Sequence, residues 1–147
     1  MVKMRATEKL KFLKKIRKPL TFETKQETPN NYKITAKKYW KKGKINYVIT
    51  EEKGEKIGNL FDLYVKPFSR KRGIGKQLTR QAEQELIKQG VKKFRVEIEK
   101  KASNEYLEKL MKEQGYKIVG EKEVIIPAKN MNYQPYKQKV YIYEKVI

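Results

Sequence analysis

Arg70-Lys71-Arg72-Gly73-Ile74-Gly75-Lys76 packs four cations and two glycines into seven residues, a combination suited to holding an anion. Main-chain N–H groups at a helix N-terminus, together with the helix dipole, attract negative charge. Glycine lets a phosphate approach the main chain without meeting a Cβ. A basic turn whose glycines serve conformation alone is the competing reading. The loop lacks the Gly-Lys-Ser/Thr of a nucleotide-binding P-loop and the third glycine of a dinucleotide fingerprint.

The flanking residues supply the elements that would position this loop. Leu60 to Val65 read as a buried strand interrupted only by Asp62, and Pro67, with no N–H for a ladder, ends it. From Ile74, small or apolar residues recur at Leu78, Ala82, Leu86 and Ile87, the helical period, and Gly90 closes that helix. Upstream, Thr7 to Lys18 reads as a basic amphipathic helix ended by Pro19, packed on the sheet or, in the competing reading, lying on a membrane or a partner. Strand-like segments follow at Leu20 to Gln26, Tyr32 to Trp40 and Ile45 to Glu52, with turns at Pro29-Asn30-Asn31, Lys42-Gly43 and Lys53-Gly54. Downstream come a strand at Phe94 to Ile98 and a short helix from Asn104 to Gln114. Two closing strands, Tyr116 to Ile126 and Lys139 to Val146, are joined by a long loop from Pro127 to Gln138.

Arg70-x-x-Gly73-x-Gly75 after Val65-x-Pro67 resembles the acetyl-CoA signature, Gln/Arg-x-x-Gly-x-Gly/Ala, of the GCN5-related N-acetyltransferases. Asn104, Leu107, Leu110 and Gly115-Tyr116 resemble that family's second motif, so the likeness spans roughly residues 44 to 120. It implies an α/β chain with a central mixed, mostly antiparallel twisted sheet and helices on both faces. It also implies acetyl-CoA as cosubstrate and transfer of the acetyl group to a primary amine. The main chain of Leu63 and Val65 would pair with pantetheine. The N–H groups of Arg70, Lys71, Arg72, Gly73, Ile74, Gly75 and Lys76 would cradle the pyrophosphate, and Asn104 would hydrogen-bond the cofactor arm. A main-chain N–H near Val65 would stabilise the oxyanion formed on the thioester carbonyl.

Candidates for the base that deprotonates the incoming ammonium are Glu97 and Asp62. A glutamate matches Glu97 in the branch that acetylates ribosomal proteins, and an acidic residue matches Asp62 in polyamine-acetylating members. Glu97 reads equally as the solvated face of an alternating strand, and Asp62 as half of a salt bridge. At one position the chain departs from the family: Met111 stands where many members have a tyrosine that protonates the leaving thiolate. Tyr106 falls on a different helical face from Met111.

Composition bounds the rest. The 147 residues suit a single domain over 1–147. Zero cysteine and zero histidine exclude disulfides, a cysteine nucleophile, imidazole catalysis and the usual zinc ligand sets. No apolar run reaches a membrane span and no signal peptide is evident, so a cytoplasmic protein is expected; the family resemblance implies a monomer or homodimer. A net charge of +20 attracts nucleic acid or acidic protein surfaces and repels free polyamines. The competing source of that charge is the lysine bias of an AT-rich genome or a thermophile. Two functions therefore stand: an N-acetyltransferase, or a basic nucleic-acid-binding protein that retains the fold with weak or lost catalysis.

Overall fold

In the computed structural model, residues 19 to 128 and 134 to 147 are described. The helix expected over Thr7 to Lys18 lies outside them, as do Asn130, Asn132 and Tyr133 of the expected loop. Strands β1 (Thr21–Thr28), β2 (Asn31–Lys38), β3 (Trp40–Glu52) and β4 (Glu55–Val65) form an antiparallel meander. A short 3-10 turn at Pro67–Ser69 leads into helix α1 (Ile74–Lys88). Strand β5 (Lys93–Glu99) is followed by a second 3-10 turn, Ala102–Asn104, and helix α2 (Glu105–Glu113). Strands β6 (Lys117–Ile126) and β7 (Tyr136–Val146) close the chain. The seven strands make one sheet in the order β1-β2-β3-β4-β5-β7-β6. Only β4 and β5 run parallel.

Strand alternation decides which side chains form the core. Ile34, Ala36, Ile45, Tyr47, Leu60, Phe94, Val96 and Ile98 are buried on the face that receives Ile74, Leu78, Ala82 and Leu86 of α1. The turn between β2 and β3 falls at Tyr39, which has φ 69°, and not at Lys42-Gly43 as the sequence suggested. Gly43 instead lies inside β3. A Cβ there would sit 2.7 Å from the Tyr64 carbonyl oxygen and 3.3 Å from Leu78 Cδ1, so close packing and not a turn requires the glycine.

Helices on both faces were expected, but both described helices lie on one. Val96 pairs with Tyr143 across β5 and β7, and the Tyr143 hydroxyl donates to Glu108 of α2 at 2.6 Å. On the same face of β7, Lys145 donates to Glu83 of α1 at 3.0 Å. The opposite face of β5 carries Arg95, which bonds Glu52 at 2.6 Å and Glu144 at 2.8 Å.

Glu83 also accepts from the buried Tyr116 hydroxyl at 2.8 Å. Burial first, and then the Glu83 carboxylate, push the Tyr116 phenol well above its ordinary range. Glu83 thus joins α1 to the end of α2 and to β7. Glu83→Ala is expected to lower stability by about 2 kcal/mol, because it strands a buried hydroxyl and a half-buried ammonium. Thermal denaturation should show a fall of about 4–8 °C.

Candidate active site

The site begins where β4 and β5 part. Their ladder runs from Ile57↔Lys93 to Leu60↔Val96 and stops, although β4 continues to Val65 and β5 to Glu99. The cause is local: Asp62 is left-handed, with φ 52°, and the β3–β4 register shifts between Lys44 and Asn46. A bulge of this kind bends its strand and increases the twist, turning β4 out of reach of β5. Lys66 N–H donates to the Lys42 carbonyl at 2.9 Å, so the main chain of Lys66 and Tyr64 faces β3. By alternation, the N–H and C=O groups of Leu63 and Val65 face the open fork.

The basic loop closes one end of this fork. N–H groups from Lys71 to Lys76 have no main-chain acceptor among the described residues, the first bond of α1 being Gln77 N–H to the Gly73 carbonyl at 3.0 Å. Lys71 and Gly73 are both left-handed, with φ 62° and 74°. Such turns bring successive N–H groups together into an anion-binding concavity. Arg70 donates Nε to the Val65 carbonyl at 2.9 Å, bracing the loop against the end of β4. Fork and loop share a cleft of about 460 Å³, lined by Leu63, Val65, Arg70, Lys71, Gly73, Ile74 and Gly75 on one side and Ser103, Asn104, Tyr106, Leu107 and Leu110 on the other.

The two glycines do different work. Gly73 holds the left-handed φ, and a Cβ there meets nothing nearer than Gln77 Nε2 at 4.0 Å. Gly75 is buried, and a Cβ there would press on Leu110 Cδ2 at 3.3 Å, so it admits α2 against α1.

The remaining candidates are more dispersed. Asn104 lines the cleft, but its Nδ2 donates to the Glu99 carbonyl at 2.8 Å, leaving Oδ1 as its open group. Glu97 is the first β5 residue beyond the ladder; it is exposed on the face opposite the helices and ion-paired to Lys122 at 2.8 Å. Asp62 is exposed at the bulge and makes no ion pair among the described residues, so it is neither a buried charge nor half of a salt bridge. Met111 is 1% exposed within the core and takes no part in the cleft lining. Tyr106, set aside on its spacing from Met111, does line the cleft. Its i, i+4 spacing to Leu110, which lines the same cleft, carried the signal.

Comparison with known proteins is decisive for the family. The model of the acetyltransferase (GNAT) family matches residues 23–116. The chain belongs to the GNAT family. Solved GNAT-like structures share its fold. An acetyltransferase from Bacillus subtilis in complex with CoA superposes with a TM-score of 0.69 at 14% identity, covering 88% of this chain and 99% of that one. A GNAT-family acetyltransferase from Streptococcus pneumoniae gives 0.63 at 19% identity, covering 98% and 78%. A streptothricin acetyltransferase homologue from Bacillus anthracis, in complex with acetyl coenzyme A, gives 0.63 at 18% identity, covering 82% and 65%. At these identities the likeness establishes the fold. No curated protein sequence matches the chain. The GNAT match contains both motif segments and the whole fork, including Asp62, Glu97 and Asn104.

Proposed function

We propose that this GNAT protein is an acetyl-CoA-dependent N-acetyltransferase acting on a primary amine. The observation that carries the reading is the open fork, where the main chain of Leu63 and Val65 faces a gap that runs into the unsatisfied N–H groups of Lys71 to Lys76. A pantetheine arm is rich in amides and suits an unpaired strand edge. A pyrophosphate suits a basic helix N-terminus. The residues present therefore fit acetyl-CoA: Leu63 and Val65 toward the arm, the loop toward the diphosphate, and Asn104 Oδ1 as a further acceptor.

Acetyl-CoA supplies an activated acyl group: the amine nitrogen bonds to the thioester carbon, the C–S bond breaks, CoA leaves as thiolate, and the amine proton passes to a base. The fork's task is orientation, which accounts for much of the rate in such a transfer. A main-chain N–H at Leu63 or Val65 offers a donor to the negative charge that develops on the carbonyl oxygen. In this reading Glu97, the first β5 residue past the ladder, takes the amine proton, with Asp62 on the other arm as its rival. Met111 offers no proton to the thiolate. A thiol with a free pKa of about 8.5 leaves acceptably without one near neutral pH. Acetyl-CoA is expected to raise the melting temperature and, with a suitable amine, to be consumed with release of free thiol. No thermal shift at millimolar acetyl-CoA would overturn the reading.

A further inference from the structure

The face of the sheet opposite the helices carries an uncompensated field of lysines beside the fork. Alternation and pairing put Lys33 and Lys37 of β2 and Lys41 and Lys44 of β3 on that face, with Lys37 opposite Lys41 and Lys44 opposite Tyr64. Lys66 follows at the end of β4. Phe61, which pairs with Asn46, and Glu97 lie on the same face, where the β4–β5 ladder stops. Lys37 pairs with Glu23. Lys33, Lys41, Lys44 and Lys66 have no carboxylate partner among the described residues. Their mutual proximity is felt at Lys41, which Lys33 chiefly, then lost hydration, Lys44, Lys66 and Lys37, push below the ordinary lysine range.

An amine that reaches the fork from this side must cross that field. The loop side is taken up by the diphosphate site, so the acceptor approaches from the lysine side. Polycationic amines are repelled there, whereas anionic groups flanking an amine are drawn in. We propose that the acceptor is a primary amine carried on an acidic peptide segment, whose carboxylates dock on Lys33, Lys41, Lys44 and Lys66. A peptide fits better than a nucleic acid, because the exocyclic amines of bases are conjugated and poorly nucleophilic. The inference rests on the acetyl-transfer reading.

The test compares three acceptors on the full chain: a short peptide with Asp and Glu flanking its free amine, the same peptide with Asn and Gln, and spermidine. The acidic peptide is expected to exceed the neutral one in kcat/KM by about tenfold at low salt, a preference lost near 1 M, where the screening length is about 3 Å. The triple variant Lys33→Gln, Lys41→Gln, Lys44→Gln should erase the preference while leaving thermal stabilisation by acetyl-CoA intact. The inference is overturned if the acidic peptide fails to exceed the neutral peptide or spermidine, or if the triple variant keeps the preference. Displacement of bound acidic peptide by neither salt nor the triple variant, with single-stranded RNA held at these lysines instead, overturns it equally. Loss of acetyl-CoA stabilisation in the wild type is a different failure, that of the acetyl-transfer reading.

Discussion

Gly73→Val is expected to abolish the stabilisation of this protein by acetyl-CoA. At a concentration a hundred times Kd, a ligand that binds only the folded state adds about 2.7 kcal/mol, or about 5–10 °C in a chain of this size. A β-branched residue at φ 74° is strained by about 1–3 kcal/mol. The loop relieves that strain by leaving the left-handed region, which disperses the N–H groups from Lys71 to Lys76. Space is not the obstacle, since the nearest neighbour of a Cβ is 4.0 Å away, so the unliganded variant should still fold, with a melting temperature a few degrees lower. Gly75→Leu should differ: by pressing on Leu110 it should destabilise the unliganded protein as well. Calorimetric binding undiminished in Gly73→Val would place the diphosphate elsewhere.

Glu97→Gln is expected to reduce kcat/KM by about 10²–10⁴-fold at neutral pH, the usual worth of a positioned general base. The deficit should shrink as the pH approaches the amine's own pKa, about 10.4 for a lysine side chain, because the neutral nucleophile then forms unaided. That pH profile separates a base from a structural residue. Loss of the exposed pair with Lys122 should cost at most about 1 kcal/mol, so the melting temperature should barely move. A wild-type rate in Glu97→Gln together with a deep loss in Asp62→Asn would transfer the role to Asp62.

Much of the scaffold was legible because its signals are local. The helical period from Ile74, the stop at Gly90 and the glycine-bearing loop each depend on neighbours in sequence, and α1 formed where they pointed. The open strand edge at Leu63 and Val65 was legible only through family likeness. Nothing in Leu60 to Val65 announces that Asp62 turns left-handed, because that conformation is decided by the register against β3. For the same reason the turn fell at Tyr39: Gly43 was needed under Leu78, a partner distant in sequence. Tyr106 was missed because it was judged by its angle to Met111, when the cleft lies along Leu107 and Leu110. Met111 itself reads as any core residue would.

The brevity of the β4–β5 ladder bears on how the molecule breathes. Strands β1 to β4 form a meander of sequence-local pairings, and β5, β7 and β6 form a second block in which β7 lies between the other two. Between them run the four paired positions from Ile57 to Leu60, the packing of α1 and the Glu83 contacts to Tyr116 and Lys145. Such a seam opens at lower free energy than the blocks it joins. Amide exchange should therefore fall into two classes, with the amides of Leu63 and Val65 fast and the interior of each block slow. A ligand lying in the fork would act as a strut across the seam, slowing exchange in both blocks at once, including at strands it never touches.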